Sequence, residues 1–355
     1  MNKIAKRTMD KFRIALCQNL VTKDKHQNIA KAQQKIHEAA SQGAQIVVLP
    51  ECFNSPYGND FFPSYAEDVS GGPETSPTLR AMAAAARDAR VHLIAGSIPT
   101  RDTHTGKLYN TCTVFDAQGV MVASYRKMHL FDVNVEGGIS FQESKTLSAG
   151  NSLTTVFIPL VTQNGANDVS NVANIVSKEK SVESGATVAN VVSEKGVASV
   201  PSEKKSVESG APILSGKDIA SSNSGVKIGL GICFDIRFSQ LAALYMQHEC
   251  DMLVYPGAFN MTTGPLHWEL LIRTRALDNQ MFVAMCSPAR DESAPYVAYG
   301  HSMVADPMGK IVARADEKET ILYADVDVAS IAKARQQIPT VKNRRLDVYE
   351  TIEKM

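Results

Sequence analysis

The chain has 355 residues, of which 44% are hydrophobic and 21% are charged, and its 37 basic residues balance its 37 acidic ones. This composition is typical of a globular protein and indicates neither a nucleic-acid partner nor a membrane partner. No apolar run approaches the roughly 18 residues that a transmembrane helix requires. Residues 1–11 are too short and polar for a signal peptide, so we expect a flexible end and a cytoplasmic protein, with a weak mitochondrial address as the alternative.

Strand and helix patterns alternate along much of the chain. Asn28 is suited to cap the first helix and Gly43 to end it. Helical spacing of apolar residues is found at 28–42, 77–90, 239–247 and 265–277. Strand patterns are found at 12–18, 45–50, 91–97, 108–115, 120–125, 155–160, 226–232, 251–256, 281–287, 302–305, 310–314 and 320–326. Strands and helices alternate in the first part of this pattern, and pairs of strands joined by turns follow. This order predicts an α/β domain with a mixed sheet and helices on its outer faces.

Residues 163–224 differ from the rest in composition. They contain no aromatic residue, no Cys and no Arg, and the heptapeptide Lys-Ser-Val-Glu-Ser-Gly-Ala occurs at 180–186 and again at 205–211. Such a Ser/Lys/Glu-rich repeat buries too little apolar surface to offset its ordering entropy. We therefore predict a disordered surface insertion. Its valines leave local order or a partner as the alternative.

Three chemically active residues end predicted strands. Glu51 follows the buried run at 45–50, and Lys127 and Cys233 each follow a later strand. In an α/β sheet, the carboxyl ends of the strands border the crevice where ligands bind. Each residue also has an ordinary alternative, since Glu51 is suited to cap a turn, Lys127 to lie in solvent and Cys233 to pack as a small hydrophobe.

Together these three residues are suited to acyl transfer at a thiol, which needs a base, a group that stabilises the oxyanion and an acid for the leaving group. Glu51 would take the thiol proton and return it to the amine, while Lys127 and the main-chain N–H of Phe234 would hold the oxyanion. A His base is the competing mechanism, but no Cys-His pair has a protease signature. For His129 we predict packing or support of the site.

No other catalytic motif was found, and the six scattered cysteines form no Cys-x-x-Cys pair. We therefore expect reduced thiols, no disulfide framework, no metal and no cofactor.

Three motifs resemble those of the nitrilase (carbon–nitrogen hydrolase) superfamily. They are Leu-Pro-Glu at 49–51, Tyr-Arg-Lys-Met-His-Leu-Phe-Asp at 125–132, and Gly-Leu-Gly-Ile-Cys-Phe-Asp-Ile-Arg-Phe at 229–238. Stretches at 51–58, 141–147, 255–264 and 335–339 are similar to one branch, the omega-amidases of the Nit2 type. The resemblance predicts one hydrolase domain over 12–349, interrupted by the insertion, with short ends at 1–11 and 350–355.

The resemblance implies a four-layer α-β-β-α sandwich and a homodimer. It implies a triad of Glu51, Lys127 and Cys233, with Glu143 as a second acid near the thiol; pairing of Glu143 with Lys145 or Arg126 is the alternative. The expected reaction hydrolyses the terminal amide of 2-oxoglutaramate or 2-oxosuccinamate through a Cys thioester. A lysine beside the thiol would also favour the reactive thiolate.

Such substrates carry a distant carboxylate, so the pocket needs a cation or several donors. Arg237 is the candidate, because guanidinium binds a carboxylate with two hydrogen bonds; an ion pair with Asp235 or another acid is the alternative. Tyr57 would donate through its hydroxyl or simply pack. The predicted substrate-binding residues are Tyr57, Phe131, Phe234, Arg237, Phe259 and Thr262.

The sequence departs from the family pattern at two places, and two alternative functions remain open. Phe234 stands where this branch commonly has tyrosine, and the insertion separates two elements that pair as neighbours in the family. The alternative functions are another enzyme of the same fold (beta-ureidopropionase, aliphatic amidase or nitrilase) and an adaptor that binds a partner through the insertion.

Overall fold

The computed structural model describes residues 11–160 and 224–354. Its helices are α1 (Lys25–Ser41), α2 (Phe62–Tyr65), α3 (Pro77–Ala89), α4 (Ser239–Gln247), α5 (Gly264–Asn279) and α6 (Ala329–Gln337). Its first strands are β1 (Lys11–Gln18), β2 (Ile46–Val48), β3 (His92–Ile94), β4 (Ile98–Arg101), β5 (Leu108–Phe115), β6 (Met121–Arg126), β7 (Asp132–Asn134) and β8 (Ser140–Gln142). The later strands are β9 (Thr155–Pro159), β10 (Gly225–Leu230), β11 (Met252–Pro256), β12 (Phe282–Cys286), β13 (Met303–Ala305), β14 (Ile311–Arg314) and β15 (Thr320–Asp327).

These strands form two large sheets and one small hairpin. The first sheet has the order β15-β1-β2-β3-β5-β4, with β6 paired to β5, and the second has the order β14-β13-β12-β11-β10-β9. β1, β2 and β3 pair in parallel, and so do β10, β11 and β12. The parallel strands are short and buried, as expected when both faces of a sheet are covered. β7 and β8 form the separate hairpin.

Alternate side chains of the strands pack into different layers. Ile14 and Leu16 of β1 belong to the apolar core that also contains Val226 and Ile228 of β10, and this core lies between the two sheets. Ala15, one residue along, packs instead with apolar residues of α1 and α3. Residues of α4 and α5 pack on the second sheet. The order of layers is therefore α-β-β-α, which confirms the predicted four-layer sandwich.

Most predicted elements are present within one to three residues of their predicted ends. The predicted cap of α1 is wrong, because the Asp24 side chain accepts the Gln27 N–H at 3.0 Å and caps the helix. Asn28 is buried within the helix and donates to the Thr22 carbonyl oxygen. Sequence patterns missed β4, β7, β8, α2 and α6, which are short or half exposed.

The predicted insertion lies outside the described residues, except for Ser224. The Leu160 N–H donates to the Ser224 carbonyl oxygen at 3.0 Å, and β9 and β10 pair antiparallel beside it. The two strands that flank the insertion are therefore neighbours, as predicted. Residues 1–10 of the predicted N-terminal end also lie outside the described residues, whereas Lys11 is the first residue of β1. No helix in the described part of the chain is long and apolar enough to cross a membrane.

Candidate active site

Two of the predicted catalytic residues lie at tight turns after parallel strands. Glu51 follows β2, and the preceding turn passes so close to Gly96 that a Cβ there would lie 2.2 Å from the Pro50 carbonyl oxygen. Cys233 opens the 3₁₀ turn Cys233–Arg237 with a φ of 49°. A positive φ is uncommon outside glycine, and such backbone strain concentrates at functional sites. The thiol lies close to Glu51, since each of the two groups shifts the pKa of the other.

Lys127 lies between two carboxylates. Its Nζ is 3.0 Å from Glu51 Oε1 and 2.9 Å from Glu143 Oε2, and all three side chains are 0% exposed. A buried charge without a partner costs several kcal/mol, so this pairing is what keeps a lysine inside the fold. Glu143 does not use its predicted alternative partner Arg126, which pairs with Asp102. The structure thus brings all four predicted catalytic residues together.

The buried cluster shifts the pKa values of its acid and its base. Burial raises the pKa of Glu51, and although the Lys127 charge opposes this, the pKa remains above its ordinary value. Burial alone would lower the pKa of Lys127, but the charges of Glu143 and Glu51 outweigh it and the pKa lies well above its ordinary value. Lys127 is therefore a fixed cation, whereas Glu51 is suited to exchange a proton.

Burial and neighbouring charges together shift the pKa of the Cys233 thiol. Burial raises its pKa well above the ordinary value, the charge of Glu51 raises it further, and Lys127 lowers it without offsetting these effects. Lys127 therefore acts in the predicted direction, toward the thiolate, but burial and the charge of Glu51 outweigh its effect. A thiol with a raised pKa needs a base at the moment of attack, and Glu51 is the neighbouring carboxylate whose charge acts on it.

Glu51 has two further partners that sequence patterns missed. The Asn110 side chain donates to Oε1 at 2.9 Å, and the main-chain N–H of Ala258 donates to Oε2 at 2.8 Å. Asn110 could have been recognised in the sequence, because it is a polar residue within the apolar pattern of β5, a strand whose residues are all buried. These donors hold the carboxylate and favour its ionised form.

Glu143 is held by two residues that were predicted to bind substrate. The Tyr57 hydroxyl donates to Glu143 Oε1 at 3.1 Å, and the Phe131 N–H donates to Oε2 at 2.7 Å. Burial raises the pKa of Tyr57 well above its ordinary value, and the charge of Glu143 adds to the effect, so its hydroxyl remains a donor. Tyr57 and Phe131 thus position the second acid as well as bordering the site.

A second hydrogen-bonded group joins the Lys127 loop to the Cys233 turn. Asp235 is fully buried and accepts from the Tyr125 hydroxyl at 2.7 Å and from the main-chain N–H of His129 at 2.9 Å. The His129 Nδ1 lies 2.7 Å from the same carboxylate. His129 therefore supports the site from behind, as the sequence predicted.

Among the described residues, no group of three or more His, Cys, Asp and Glu side chains is arranged to hold a metal ion. The chemistry of the cluster is that of an acid, a base and a thiol. The model of the carbon-nitrogen hydrolase family matches residues 13–336 of the chain. The chain belongs to the carbon–nitrogen hydrolase family.

Named relatives extend over nearly the whole chain. The Mus musculus protein named omega-amidase NIT2 is 43% identical over 341 residues, which are 96% of this chain and 98% of that protein. The Homo sapiens protein of the same name is 42% identical over 341 residues, with the same two shares. Among solved structures, Saccharomyces cerevisiae Nit3, a member of branch 10 of the nitrilase superfamily, matches with a TM-score of 0.69 at 35% identity and covers 94% of this chain and 97% of its own.

As a carbon–nitrogen hydrolase, the protein is an enzyme that acts on amide C–N bonds and binds a small amide. Arg237 is half-buried beside the nucleophile turn, with its guanidinium 5.6 Å from the Phe234 ring centre and 5.0 Å from that of Phe259. Its predicted alternative partner Asp235 is occupied by Tyr125 and His129. Within the described residues, the buried Nε of Arg237 has no hydrogen-bond partner.

Of the remaining predicted substrate residues, Phe234 and Phe259 lie against the Arg237 guanidinium. The Phe131 and Phe234 rings meet edge to face at 5.3 Å. Phe259 packs edge-on against Trp268, with ring centres 5.2 Å apart. Thr262 lies beside Gly138, which is in the turn between β7 and β8. A Cβ added to Gly138 would be 2.8 Å from the methyl carbon of Thr262. Substrate binding by these residues stays a prediction.

Proposed function

We propose that this carbon–nitrogen hydrolase is an omega-amidase that hydrolyses the terminal amide of 2-oxoglutaramate or 2-oxosuccinamate. The observation that carries the proposal is the buried cluster of Cys233, Glu51, Lys127 and Glu143 beside the half-buried guanidinium of Arg237. The cluster suits attack on an amide, and the guanidinium suits a carboxylate at the far end of the substrate. The similarity to proteins named omega-amidase supports the same substrate class.

In the acylation half of the reaction, the Cys233 sulfur attacks the amide carbonyl carbon. Glu51 takes the thiol proton as the C–S bond forms, and Lys127 and the main-chain N–H of Phe234 stabilise the negative oxygen. Glu51 then gives the proton to the amide nitrogen, the C–N bond breaks and ammonia leaves. Glu143 keeps Lys127 charged and in place throughout, since it contacts the ammonium from the other side.

In the deacylation half, water hydrolyses the thioester. Glu51 removes a proton from the water as its oxygen attacks the carbonyl carbon, and the same oxyanion donors act again. The C–S bond then breaks, and the proton passes to the sulfur to restore the thiol. Glu51 ends as a carboxylate, so the site returns to its starting state and no cofactor takes part in the scheme.

Ammonia release tests the proposal. The purified protein is incubated with each of the two keto-amides, and we expect ammonia from both, none from Cys233→Ala, and unchanged release from Cys250→Ala, which alters a thiol of the apolar core. Activity that survives in Cys233→Ala would remove this residue as the nucleophile. A panel of carbamoyl amines, simple amides and nitriles covers the other enzymes of this fold, and a clear preference for any of them would overturn the substrate assignment.

We further propose a homodimer, which the family resemblance implies. One face of α5 carries Leu266 and Leu270, which are 66% and 61% exposed and one helical turn apart. Large exposed apolar residues grouped in this way mark interaction surfaces. Light scattering should give twice the chain mass for the wild type and for Val120→Lys, a control on another exposed apolar residue, and a lower mass for Leu270→Lys. A monomeric wild type would contradict the proposal.

The domain assignment also remains a proposal: residues 12–349 form one hydrolase domain, and 163–224 are an insertion that catalysis does not need. The adjacent ends of β9 and β10 support it. A short turn in place of residues 161–223 should leave ammonia release unchanged, because loop length has only a logarithmic effect on closure. Lost activity would assign the insertion to the active site, and a lost binding partner with unchanged kinetics would favour the adaptor. The cytoplasmic location stays a prediction.

A further inference from the structure

A small chamber opens on the Glu51 side of the site. Its volume is about 50 Å³, which exceeds the roughly 10–15 Å³ that one ordered water needs. Glu51 and Ala258, each 1% exposed, line its inner end, and the partly exposed Val21, Asp291 and Ala294 line its outer end. The chamber thus leads from the protein surface to the carboxylate of the general base.

The chamber reaches the site from the side of Glu51 and not from that of Arg237, and of the predicted substrate residues only Tyr57 is part of its lining. Among the described residues, its lining includes neither Cys233 nor Lys127, nor the guanidinium side formed by Arg237. Tyr296 lies at the boundary, because it lines the chamber and its hydroxyl donates to the Ala258 carbonyl oxygen at 2.5 Å. Ser55, Asp291 and the Glu51 carboxylate supply polar atoms along the lining, and an ordered water needs two to four such partners.

Hydrolysis of the thioester requires a second reactant at the site. Cys233 is 4% exposed, so an acyl group bound to its sulfur is enclosed by the protein. The second reactant, water, must still reach Glu51, which activates it. Glu51 lines the chamber and lies close enough to the thiol for each group to shift the pKa of the other.

We propose that this chamber holds and admits the water that hydrolyses the thioester, while the amide substrate enters from the Arg237 side. The inference rests on the proposed function, since it concerns the second half of that reaction. The water oxygen bonds to the thioester carbonyl carbon, Glu51 accepts the water proton, and the C–S bond breaks to give the acid and the thiol. Acylation and binding of the amide do not use the chamber.

Filling the outer end of the chamber tests the proposal. Val21→Trp and Ala294→Trp place a large ring at partly exposed positions, where the fold tolerates it better than in the core. Glu292→Trp is the matched control, because it puts the same ring on an exposed position of the same loop outside the chamber lining. Rapid-quench measurement of ammonia and intact mass of the acyl-enzyme, with 2-oxoglutaramate as substrate, separate the two half-reactions. Thermal unfolding of each variant checks that it is folded.

We expect the two chamber variants to release one equivalent of ammonia per site at the wild-type rate and then to slow roughly 10- to 100-fold, the scale on which a misplaced reactant acts. The thioester should accumulate in their mass spectra and not in the control. Hydroxylamine, which is larger than water, should form less hydroxamate relative to acid in these variants than in the wild type.

Three results would overturn the inference. Equal slowing of the ammonia burst and of turnover would show that the chamber serves acylation, and a raised KM without accumulated thioester would show that it binds the amide. Wild-type kinetics in both folded variants would show that water arrives elsewhere. No ammonia from the wild type with any amide would instead overturn the proposed function, and the role of the chamber with it.

Discussion

The two sides of the Cys233 thiol differ in how their charges are satisfied. On one side, Lys127 is 0% exposed between two carboxylates, and Glu51 receives further donors from Asn110 and Ala258. On the other side, Arg237 is half-buried, lies 3.3 Å from the His267 ring nitrogen, and has a buried Nε without a partner among the described residues. Burial lowers the pKa of Arg237, the sign expected for a cation that lacks a compensating anion.

This difference separates chemistry from recognition. The groups proposed to break the amide bond are held in place within the folded protein, because each buried charge is stabilised by an opposite charge beside it. The group proposed to recognise the substrate is left to be neutralised by the ligand, so binding can be selective for an anion. Variants that alter one side should therefore affect stability and catalysis, and variants that alter the other should affect binding.

The largest effect is expected for Lys127→Met. Two buried carboxylates would then face each other without a cation, and breaking a buried ion pair by removing one partner costs about 3–5 kcal/mol of unfolding free energy. Ammonia release should be abolished together with this loss, as measured by urea unfolding and by activity. Lys145→Met, an exposed lysine in the same region, is the control and should change neither. A stable Lys127→Met protein would contradict the view that Lys127 holds the site together.

The next largest effect is expected for Glu51→Gln. Lys127 keeps its second partner Glu143, so the fold should survive, but the general base is lost and kcat/KM should fall by about 10²- to 10⁴-fold. Glu143→Gln, which removes a charge without removing the base, is the comparison and should lose less. Mass spectrometry should find no thioester in Glu51→Gln. Near-wild-type turnover in this variant would leave the thiol without its proposed base.

On the recognition side, Arg237→Met should raise KM for the keto-amides and leave the fold intact. Hydrogen bonds to a charged group contribute about 1.5–3 kcal/mol, which corresponds to roughly 10- to 150-fold in binding. A short primary amide without a carboxylate serves as a matched control substrate, and its kcat/KM should be unchanged. An equal loss with both substrates would show that Arg237 supports the Cys233 turn rather than binding a carboxylate.

The smallest change in rate is expected for Asn110→Ala, whose signature is in the pH profile. Asn110 donates to the Glu51 carboxylate and favours its ionised form, so its removal raises a pKa that burial has already raised. Because Glu51 must be ionised to act as a base, the acidic limb of kcat/KM should move to higher pH by about one unit. Asn279→Ala removes a buried asparagine of α5 and should not move the limb. An unmoved limb in Asn110→Ala would restrict its role to packing.

Local patterns predicted most of the elements, and they failed in identifiable ways. The cap of α1 was assigned to Asn28 because sequence spacing does not tell which of two polar residues turns toward the helix end, and Asp24 does so. The strands could be recognised from their apolar runs. A run that is buried on both faces does not indicate to which of the two sheets its strand belongs. The division into two sheets is determined by packing, in which Ile14 and Ala15 enter different cores.

The sequence by itself determined the strand and helix pattern, the family through its three motifs, and the candidate residues Glu51, Lys127, Glu143 and Cys233. Only the tertiary structure decided the surroundings of these groups, which are the burial that raises the pKa of the thiol, the donors on Glu51 and the chamber lined by Glu51. The reason is distance along the chain, since Ala258 lies 207 residues from the carboxylate it contacts. Periodicity reports which face of an element is buried, but charge and pKa depend on partners that folding brings together from elsewhere.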